Sequence, residues 1–344
     1  MRYLHQYVER SSKTIKTEHF LGDGPVRALY STVREHAPSL FNLLTQKRAS
    51  AVLAYLMYDL PLTSLKKTGL EDIDLSECVD PNEVTTLRKL FERKIRYWEC
   101  RPLEGSQDSV VSPADSKVLL GSFREQSHLY VKEKFFSLSE LLGAHKNYWI
   151  ESFKDGDFAI FRLTPEKYHF NHTPVAGRVL DTYRISGQYH SCNPFALVAI
   201  ASPYSKNERV ITIIDTDVPD GAGVGLVTMI EVVALMIGDI VQCYSEDRYE
   251  SPRQIEKGMF LKRGCPKSLY RPGSSTDILL FQKDRVRFSQ DLIENLRRYD
   301  VQTRFARGLD SPCLVETEVR VRSQIGRAIP SAAGVKRGGQ CHER

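Results

Sequence analysis

The chain has 344 residues, of which 41% are hydrophobic, so it is long enough to bury a sizeable core in one or two domains. Its formal net charge is only +5 at pH 7, and the charged residues are spread along the chain, which argues against nucleic acid as a partner. The most apolar run, residues 51–58, is far shorter than the roughly 20 residues that span a bilayer. These features predict a soluble or peripheral protein.

The cysteines are scattered and form no C-x-x-C pair. Such an odd-numbered set predicts reduced thiols of a cytoplasmic type rather than a disulfide framework, and it predicts no metal site of the zinc type. The seven cysteines are Cys78, Cys100, Cys192, Cys243, Cys265, Cys313 and Cys341.

The first 100 residues are predicted to form a helical N-terminal region. From residue 25 onward, apolar side chains recur at the three- and four-residue spacing of one helix face, beginning with Val26, Leu29, Tyr30 and Val33. Further helices are predicted after Pro38 and over residues 51–58.

After Pro102, short β-branched and aromatic runs separated by turn residues predict a mostly β domain over residues 101–328. A helix is predicted from Ser289 to Tyr299, an edge strand from Val315 to Arg322, and a disordered tail over 329–344. The fold class is therefore α+β. The main predicted strands are Lys117–Leu120, Asp157–Leu163, Arg178–Tyr183, Arg209–Asp215, Gly225–Ile240 with a break at Gly238, and Asp277–Phe281.

Three short segments can carry chemistry. They are the turn P-A-D-S at residues 113–116, the segment Y-H-F-N-H-T-P-V-A-G at 168–177, and P-G-S-S-T at 272–276, which leads directly into an apolar strand. Each also has an ordinary interpretation, namely a capping turn, a surface histidine pair and a loop. Together they supply an aspartate, a histidine and a serine, the set in which an oriented histidine activates a hydroxyl.

The order of these segments resembles that of the phosphatidylserine decarboxylase family. The resemblance spans about residues 97 to 327 and includes the runs at 135–142 and 207–216, the strand region 225–240 and Q-I-G at 324–326. The chain departs from the usual family pattern at Ser116 and Phe170, where a glycine and an arginine are common. Neither departure removes a catalytic group, although headgroup contacts could differ.

The resemblance implies roles for individual residues. Asp115 and His172 match the family's triad aspartate and histidine, and His169 matches the histidine of the decarboxylation step. The cleavage motif is Gly273-Ser274-Ser275, and either serine could be the reactive one. Counting back from Phe281 favours Ser275, whereas the shorter form of the family motif, counted forward, gives Ser274.

The resemblance also implies a two-stage chemistry. His172, held by Asp115, activates the serine, which attacks the preceding carbonyl. The resulting ester eliminates the upstream chain, and hydrolysis leaves a pyruvoyl group and ammonia. The precursor, a zymogen, thereby becomes a larger β chain and a small α chain. The covalent pyruvoyl cofactor then forms a Schiff base with the substrate amine, and His169 reprotonates the carbon that loses CO2, near neutral pH because an ordinary histidine pKa is about 6.5.

The implied substrate is phosphatidylserine, which would be converted to phosphatidylethanolamine by a peripheral enzyme on the cytoplasmic side of a membrane. A free amino acid is the alternative substrate, which would place the enzyme in the cytoplasm, and a non-catalytic binding relative is a distant alternative. A homodimer is expected from the resemblance. The helices between Val26 and Tyr58, flanked by Arg27, Arg34, Lys47 and Arg48, could dock on an anionic membrane surface or pack on the β domain.

Overall fold

The structure is a computed structural model that describes residues 4–18, 23–59, 73–127, 129, 135–235, 239–272, 275–305 and 314–330. Gly238, Gly273, Ser274 and most of the tail predicted to be disordered lie outside these ranges. The described residues contain both helices and large sheets, which confirms the α+β class.

The strands are β1 (Gln6–Glu9), β2 (Thr14–Thr17), β3 (Ser109–Val111), β4 (Ser116–Ser122), β5 (Asp157–Leu163), β6 (Phe170–His172), β7 (Gly177–Ile185), β8 (Arg209–Asp215), β9 (Leu226–Val232), β10 (Ile240–Gln242), β11 (Phe260–Leu261), β12 (Pro266–Tyr270), β13 (Ser275–Phe281), β14 (Val286–Phe288), β15 (Glu316–Val319) and β16 (Gln324–Ala328).

The α-helices are α1 (Asp23–Ala28), α2 (Arg34–His36), α3 (Pro38–Leu44), α4 (Lys47–Tyr58), α5 (Leu87–Phe91), α6 (Tyr97–Cys100), α7 (Leu138–Leu142), α8 (Asn147–Phe153), α9 (Pro194–Ala199), α10 (Pro203–Lys206) and α11 (Gln290–Leu296), with a π-helical turn at Leu29–Val33 between α1 and α2. Within the described ranges, no helix is both long and apolar enough to cross a membrane.

The largest sheet of the described residues has the strand order β11-β7-β8-β9-β13-β5-β4-β15-β1-β2. Strand β13 lies near its middle and pairs antiparallel with both β9 and β5. Every residue of β13 is buried, as expected for a run whose apolar side chains point to both faces. The sheet therefore holds Ser275, the first residue of β13, inside the molecule.

Two sequence-based predictions need correction at this sheet. Val315–Arg322 was expected to be an edge strand, but β15 lies inside the sheet, between β4 and β1. The N-terminal 100 residues, expected to be helical, contribute β1 and β2 beside their short helices. Both errors have one cause: β1 pairs in parallel with β15, about 300 residues away along the chain, and no local pattern encodes such a pairing.

A smaller sheet has the order β10-β12-β6, and its Ser268 and Tyr270 hydrogen-bond Glu231 and Asp277 of the large sheet. Strand β6 ends at His172, and β12 ends at Tyr270, five residues before Ser275. The two strands pair antiparallel, with a register shift between Pro266 and Ser268. This sheet brings the histidine segment and the approach to the cleavage motif together.

The apolar face that runs from α1 to α3 packs against the rest of the protein. Tyr30 is buried with Phe41 and Ala196, and Val26, Leu29 and Val33 pack against the same cluster. Helix α9, which contains Ala196, supplies the opposing surface. For the Val26–Val33 face, packing inside the protein is therefore the observed arrangement.

Candidate active site

Ser275 stands at the start of the central strand β13, opposite Leu163 of β5. Its side chain is fully buried, and its hydroxyl has no hydrogen-bond partner among the described residues. Buried hydroxyls are nearly always hydrogen-bonded, so such an exception requires an explanation. A hydroxyl that reacts with a neighbouring group would provide one.

His172, at the end of β6, is completely buried and held at both ring nitrogens. Nδ1 lies 2.9 Å from the carbonyl oxygen of Gly264, and Nε2 lies 3.0 Å from the hydroxyl of Tyr168. Since a carbonyl can only accept, Nδ1 carries the proton and Nε2 accepts from Tyr168. Burial lowers the pKa of His172 to about 3, so the ring is neutral and Nε2 is a base.

Tyr168 connects His172 to a second tyrosine. Its hydroxyl lies 2.8 Å from that of Tyr249, which in turn contacts the backbone of Ile95. Phe170, the departure from the family pattern, stacks on Tyr168 with ring centroids 5.6 Å apart. The histidine is thus oriented by an aromatic cluster.

Asp115 is buried beside a cation. Arg101 donates to both of its carboxylate oxygens and also binds Glu77, while the amide of Val321 donates to Asp115 Oδ1 at 2.7 Å. Burial alone would raise the pKa of Asp115, but the charge and hydrogen bonds of Arg101 outweigh it and hold this pKa below its usual value. Asp115 is therefore ionised.

The structure brings Asp115 and His172 to neighbouring elements without joining their side chains. The His172 amide donates to the carbonyl of Pro113 at 2.7 Å, which places the P-A-D turn beside β6. However, the carboxylate binds Arg101 and Val321, whereas the ring binds Gly264 and Tyr168. The predicted Asp–His contact is not formed in this arrangement.

His169 is also fully buried, and its ring stacks on Phe91 with centroids 3.5 Å apart. Nδ1 donates to the carbonyl of Lys167 at 2.7 Å, and Nε2 has no partner among the described residues. Burial lowers the pKa of His169 well below its ordinary value, with a further contribution from the charge of Arg93. The expectation that His169 titrates near neutral pH is therefore wrong, because it assumed a solvated ring.

The strand register shows which side chains face one another across the two sheets. Ser275 and Asp277 alternate onto one face of β13, and Asp277 pairs with Glu231 of β9. Ser268 of β12 hydrogen-bonds Glu231, so the face of the small sheet that carries Ser268 looks onto this face. His169 lies opposite Tyr270, two residues from Ser268, and therefore belongs to the same facing surface.

The facing surfaces of the two sheets carry several unpartnered polar atoms among the described residues. They are His169 Nε2, Asn171 Oδ1, Ser275 Oγ and Asp277 Oδ2, all on fully buried residues. A desolvated polar atom without a partner is costly, so their concentration in one region indicates a place for a reacting or binding group.

One group of described residues outside this region has side chains of the metal-binding type, namely His5, Glu18 and Glu316. Arg162 donates to both carboxylates, at 2.6 Å for each nearest pair, and Lys117 lies 3.3 Å from Glu18. These two cations supply the positive charge that a metal ion would bring. The group thus ties the residues flanking β1 and β2 to β4, β5 and β15 as a buried ion-pair network.

We expect Arg101→Met to destabilise the protein by about 3–5 kcal/mol, because it leaves the buried Asp115 carboxylate without its cation. Since the folded-state pKa of Asp115 is lowered, the stabilisation is present above the unfolded pKa and is lost as pH falls through the folded pKa. Denaturant unfolding near neutral pH and at acidic pH measures both effects. Arg298→Met, whose partner Asp300 is exposed, is the control and should change stability far less.

Sequence reasoning missed several residues that shape the site. Tyr168 lies inside the histidine segment, but its hydrogen bond to His172 depends on the fold. Arg101, Phe91 and Tyr249 lie far from the motifs along the chain, and only the structure places them beside Asp115, His169 and Tyr168.

Comparison with known proteins identifies the family of the chain. The profile of the family "Phosphatidylserine decarboxylase" matches residues 87–306. A phosphatidylserine decarboxylase proenzyme of Clostridium tetani is 30% identical over 95% of this chain and 99% of the relative. Proenzymes of the same name from Fusobacterium nucleatum (29% over 88% of this chain and 95% of the relative) and Chlamydia trachomatis (33% over 64% and 68%) are also similar. The chain belongs to the phosphatidylserine decarboxylase family and is a decarboxylase.

Proposed function

We propose that this chain is a self-cleaving proenzyme whose mature form decarboxylates phosphatidylserine to phosphatidylethanolamine and CO2. The observation that carries the proposal is Ser275: a buried hydroxyl without a partner among the described residues, at the first position of the central strand and in the cleavage motif. The proenzyme names of the relatives support the same reading.

In maturation, Ser275 Oγ attacks the carbonyl carbon of residue 274, and His172 accepts the hydroxyl proton. His172 is suited to this role because it is neutral and its Nε2 is unprotonated. His172 alternates with Asn171 along β6 and so starts on the other face of the strand; for the transfer, its ring must leave the Tyr168 hydroxyl and reach Ser275 Oγ. Asp115 contributes negative charge near the ring, which stabilises the imidazolium that forms.

Ser275 is favoured because it pairs with Leu163 in the ladder with β5. Cleavage before Ser275 leaves a small chain whose first residue is already fixed in the sheet. Ser274 stays the alternative.

The pyruvoyl group would supply an electron-withdrawing ketone that accepts the electron pair released as CO2 departs. The unpartnered atoms around Ser275 fit such a group, since each is a buried polar atom with hydrogen-bonding capacity to spare. His169 is fixed as the Nδ1–H tautomer by Lys167, so its Nε2 can take up a proton and deliver it to the substrate carbon.

The experiment that tests the substrate is an assay of released CO2 with phosphatidylserine vesicles and, in parallel, with free serine and other free amino acids. Turnover of the lipid with little turnover of free amino acids supports the proposal. The reverse preference would favour the alternative, a pyruvoyl-dependent decarboxylase of a free amino acid. A homodimer and a domain boundary near residue 100 stay predictions.

The surface of α3 and α4 is the proposed contact with the anionic membrane, on its cytoplasmic side. Five large apolar side chains of these helices are about half exposed, and Lys47 and Arg48 stand at the start of α4. Apolar side chains beside basic ones suit an interfacial helix on anionic lipid. The five are Leu40, Leu43, Val52, Tyr55 and Leu56.

We expect Leu43→Ser combined with Tyr55→Ser to reduce sedimentation with phosphatidylserine-containing vesicles several-fold, because it removes apolar area from the proposed contact. Decarboxylation of a detergent-solubilised short-chain substrate should change little. Tyr148→Ser, which alters an exposed aromatic residue on α8, is the control. Equal sedimentation of all three proteins would rule out this surface.

A further inference from the structure

Asp277 is a carboxylic acid in the middle of the protein. It is fully buried in β13, where its cross-strand neighbours are Phe161 on one side and Glu231 on the other. Its Oδ2 has no partner among the described residues, and its Oδ1 lies 2.7 Å from the hydroxyl of Tyr270. No role in cleavage or decarboxylation has so far been given to it.

Among the described residues, no cation forms an ion pair with Asp277. Glu231 forms an ion pair with the ammonium group of Lys267 at 2.8 Å and accepts a hydrogen bond from the Ser268 hydroxyl. Lys267 also donates a hydrogen bond to the side chain of Gln242. Two ionised carboxylates opposite each other on neighbouring buried strands would repel at high cost. Lys267 balances the charge of Glu231, and a proton on Asp277 removes the second negative charge.

The hydrogen bonds of Tyr270 lead to the same conclusion. Its hydroxyl lies 3.0 Å from the backbone carbonyl oxygen of Thr276 as well as 2.7 Å from Asp277 Oδ1. The hydroxyl has one proton, and the carbonyl can only accept. Both contacts are hydrogen bonds only if Asp277 donates to the Tyr270 oxygen while Tyr270 donates to Thr276.

The hydrogen-bonded groups lie on opposite sides of the cleavage motif along the chain. Tyr270 lies before the cleavage motif, and Thr276 and Asp277 lie after it. On the proposed function, Tyr270 therefore belongs to the large chain after cleavage and the other two belong to the small chain. Ser275, from which the pyruvoyl group would form, directly precedes Thr276.

We propose that Asp277, Tyr270 and the Thr276 carbonyl form a clasp that joins the two chains across the cut and positions residue 275 for decarboxylation. Asp277 is a positioning residue in this scheme, since it acts through Tyr270. The inference rests on the proposed function, because it gives the clasp its purpose at the new chain terminus.

The electrostatics of the site support the protonated form. Burial raises the pKa of Asp277 well above its ordinary value, and the charge of Glu231 raises it further, against smaller opposing effects of Tyr270 and Lys267. As pH rises toward this pKa, Asp277 ionises and can no longer donate. Tyr270 then turns its proton to the carboxylate, and the Thr276 carbonyl loses its donor.

The test compares Asp277→Asn and Tyr270→Phe with the wild-type two-chain protein, with kcat and KM measured between about pH 6 and 9. The asparagine amide keeps a donor toward Tyr270, as a protonated Asp277 does, so Asp277→Asn should keep a kcat close to that of the wild type near pH 7. Tyr270→Phe should lower kcat about tenfold, the equivalent of one lost hydrogen bond, with little change in KM. Asp284→Asn, at an exposed acid after β13, is the control and should follow the wild type.

A large loss of kcat in Asp277→Asn would overturn the clasp, as would an unchanged kcat in Tyr270→Phe. A merely structural role for these two residues would change the yield of folded protein but not the kcat of the cut protein. Failure of the proposed function would look different, because the wild-type protein itself would then stay uncut or release no CO2.

Discussion

Ser275→Ala is expected to leave the chain in one piece under conditions in which the wild-type chain is fully cut. The substitution removes only the hydroxyl, which has no hydrogen-bond partner among the described residues. The fold should therefore persist, while no nucleophile is left to attack the carbonyl of residue 274. Denaturing gel electrophoresis after prolonged incubation measures the cut fraction, and circular dichroism checks the fold.

Ser274→Ala is the matched control for this result. It keeps the carbonyl that Ser275 attacks and changes a side chain of the same size, so it should still be cut. An uncut Ser274→Ala together with a cut Ser275→Ala would assign the reactive hydroxyl to Ser274. Two cut variants would contradict a serine-based cleavage at this motif.

His169→Ala is expected to give two chains that decarboxylate about 10²- to 10⁴-fold more slowly than the wild type, the usual contribution of a positioned acid or base. Its Nε2 is buried and makes no hydrogen bond among the described residues. The loss should therefore appear in kcat at all pH values near neutrality, since the low pKa of His169 keeps its titration below that range.

Two other histidine variants separate this effect from a general loss of structure. His172→Ala should block cleavage itself, because the neutral base of the maturation step is lost. His190→Ala, at a buried histidine beside Tyr30, should be cut and should retain activity. A His169→Ala protein with normal kcat would remove this residue from the decarboxylation step.

The strands near the site were predictable because their patterns are local. Asp157–Leu163 and Arg209–Asp215 have the same bounds in the structure as in the sequence-based prediction, since each is an apolar run between turn residues. The parallel pairing of β1 with β15 was not predictable, because the alternation in Val315–Arg322 fits an edge strand as well as an interior one. Only long-range packing distinguishes the two.

The candidate site was also predictable from the sequence only in part. Asp115, His169, His172 and Ser275 could be selected from their motifs, and all four are buried inside the protein. The protonation states could not be predicted, because they depend on burial and on distant partners. Arg101 keeps Asp115 ionised, whereas the aromatic surroundings keep both histidines neutral.

The N-terminal helices divide between the two alternatives that the sequence left open. The Val26–Val33 face packs on α9, whereas side chains such as Leu43 and Tyr55 on the next helices are exposed. An amphipathic pattern shows that a face is apolar, but it cannot show what covers that face. The burial of each side chain makes the distinction here.

The central claim is that this chain converts its own serine into a pyruvoyl group, and intact-mass spectrometry of the purified wild-type protein tests it most directly. We expect two fragments, the smaller beginning at residue 275 and lighter by one ammonia than the same fragment with a serine terminus. A single uncut chain would contradict the account and revive the non-catalytic binding relative. A small fragment with an intact serine terminus would equally contradict it, since plain hydrolysis leaves no pyruvoyl group.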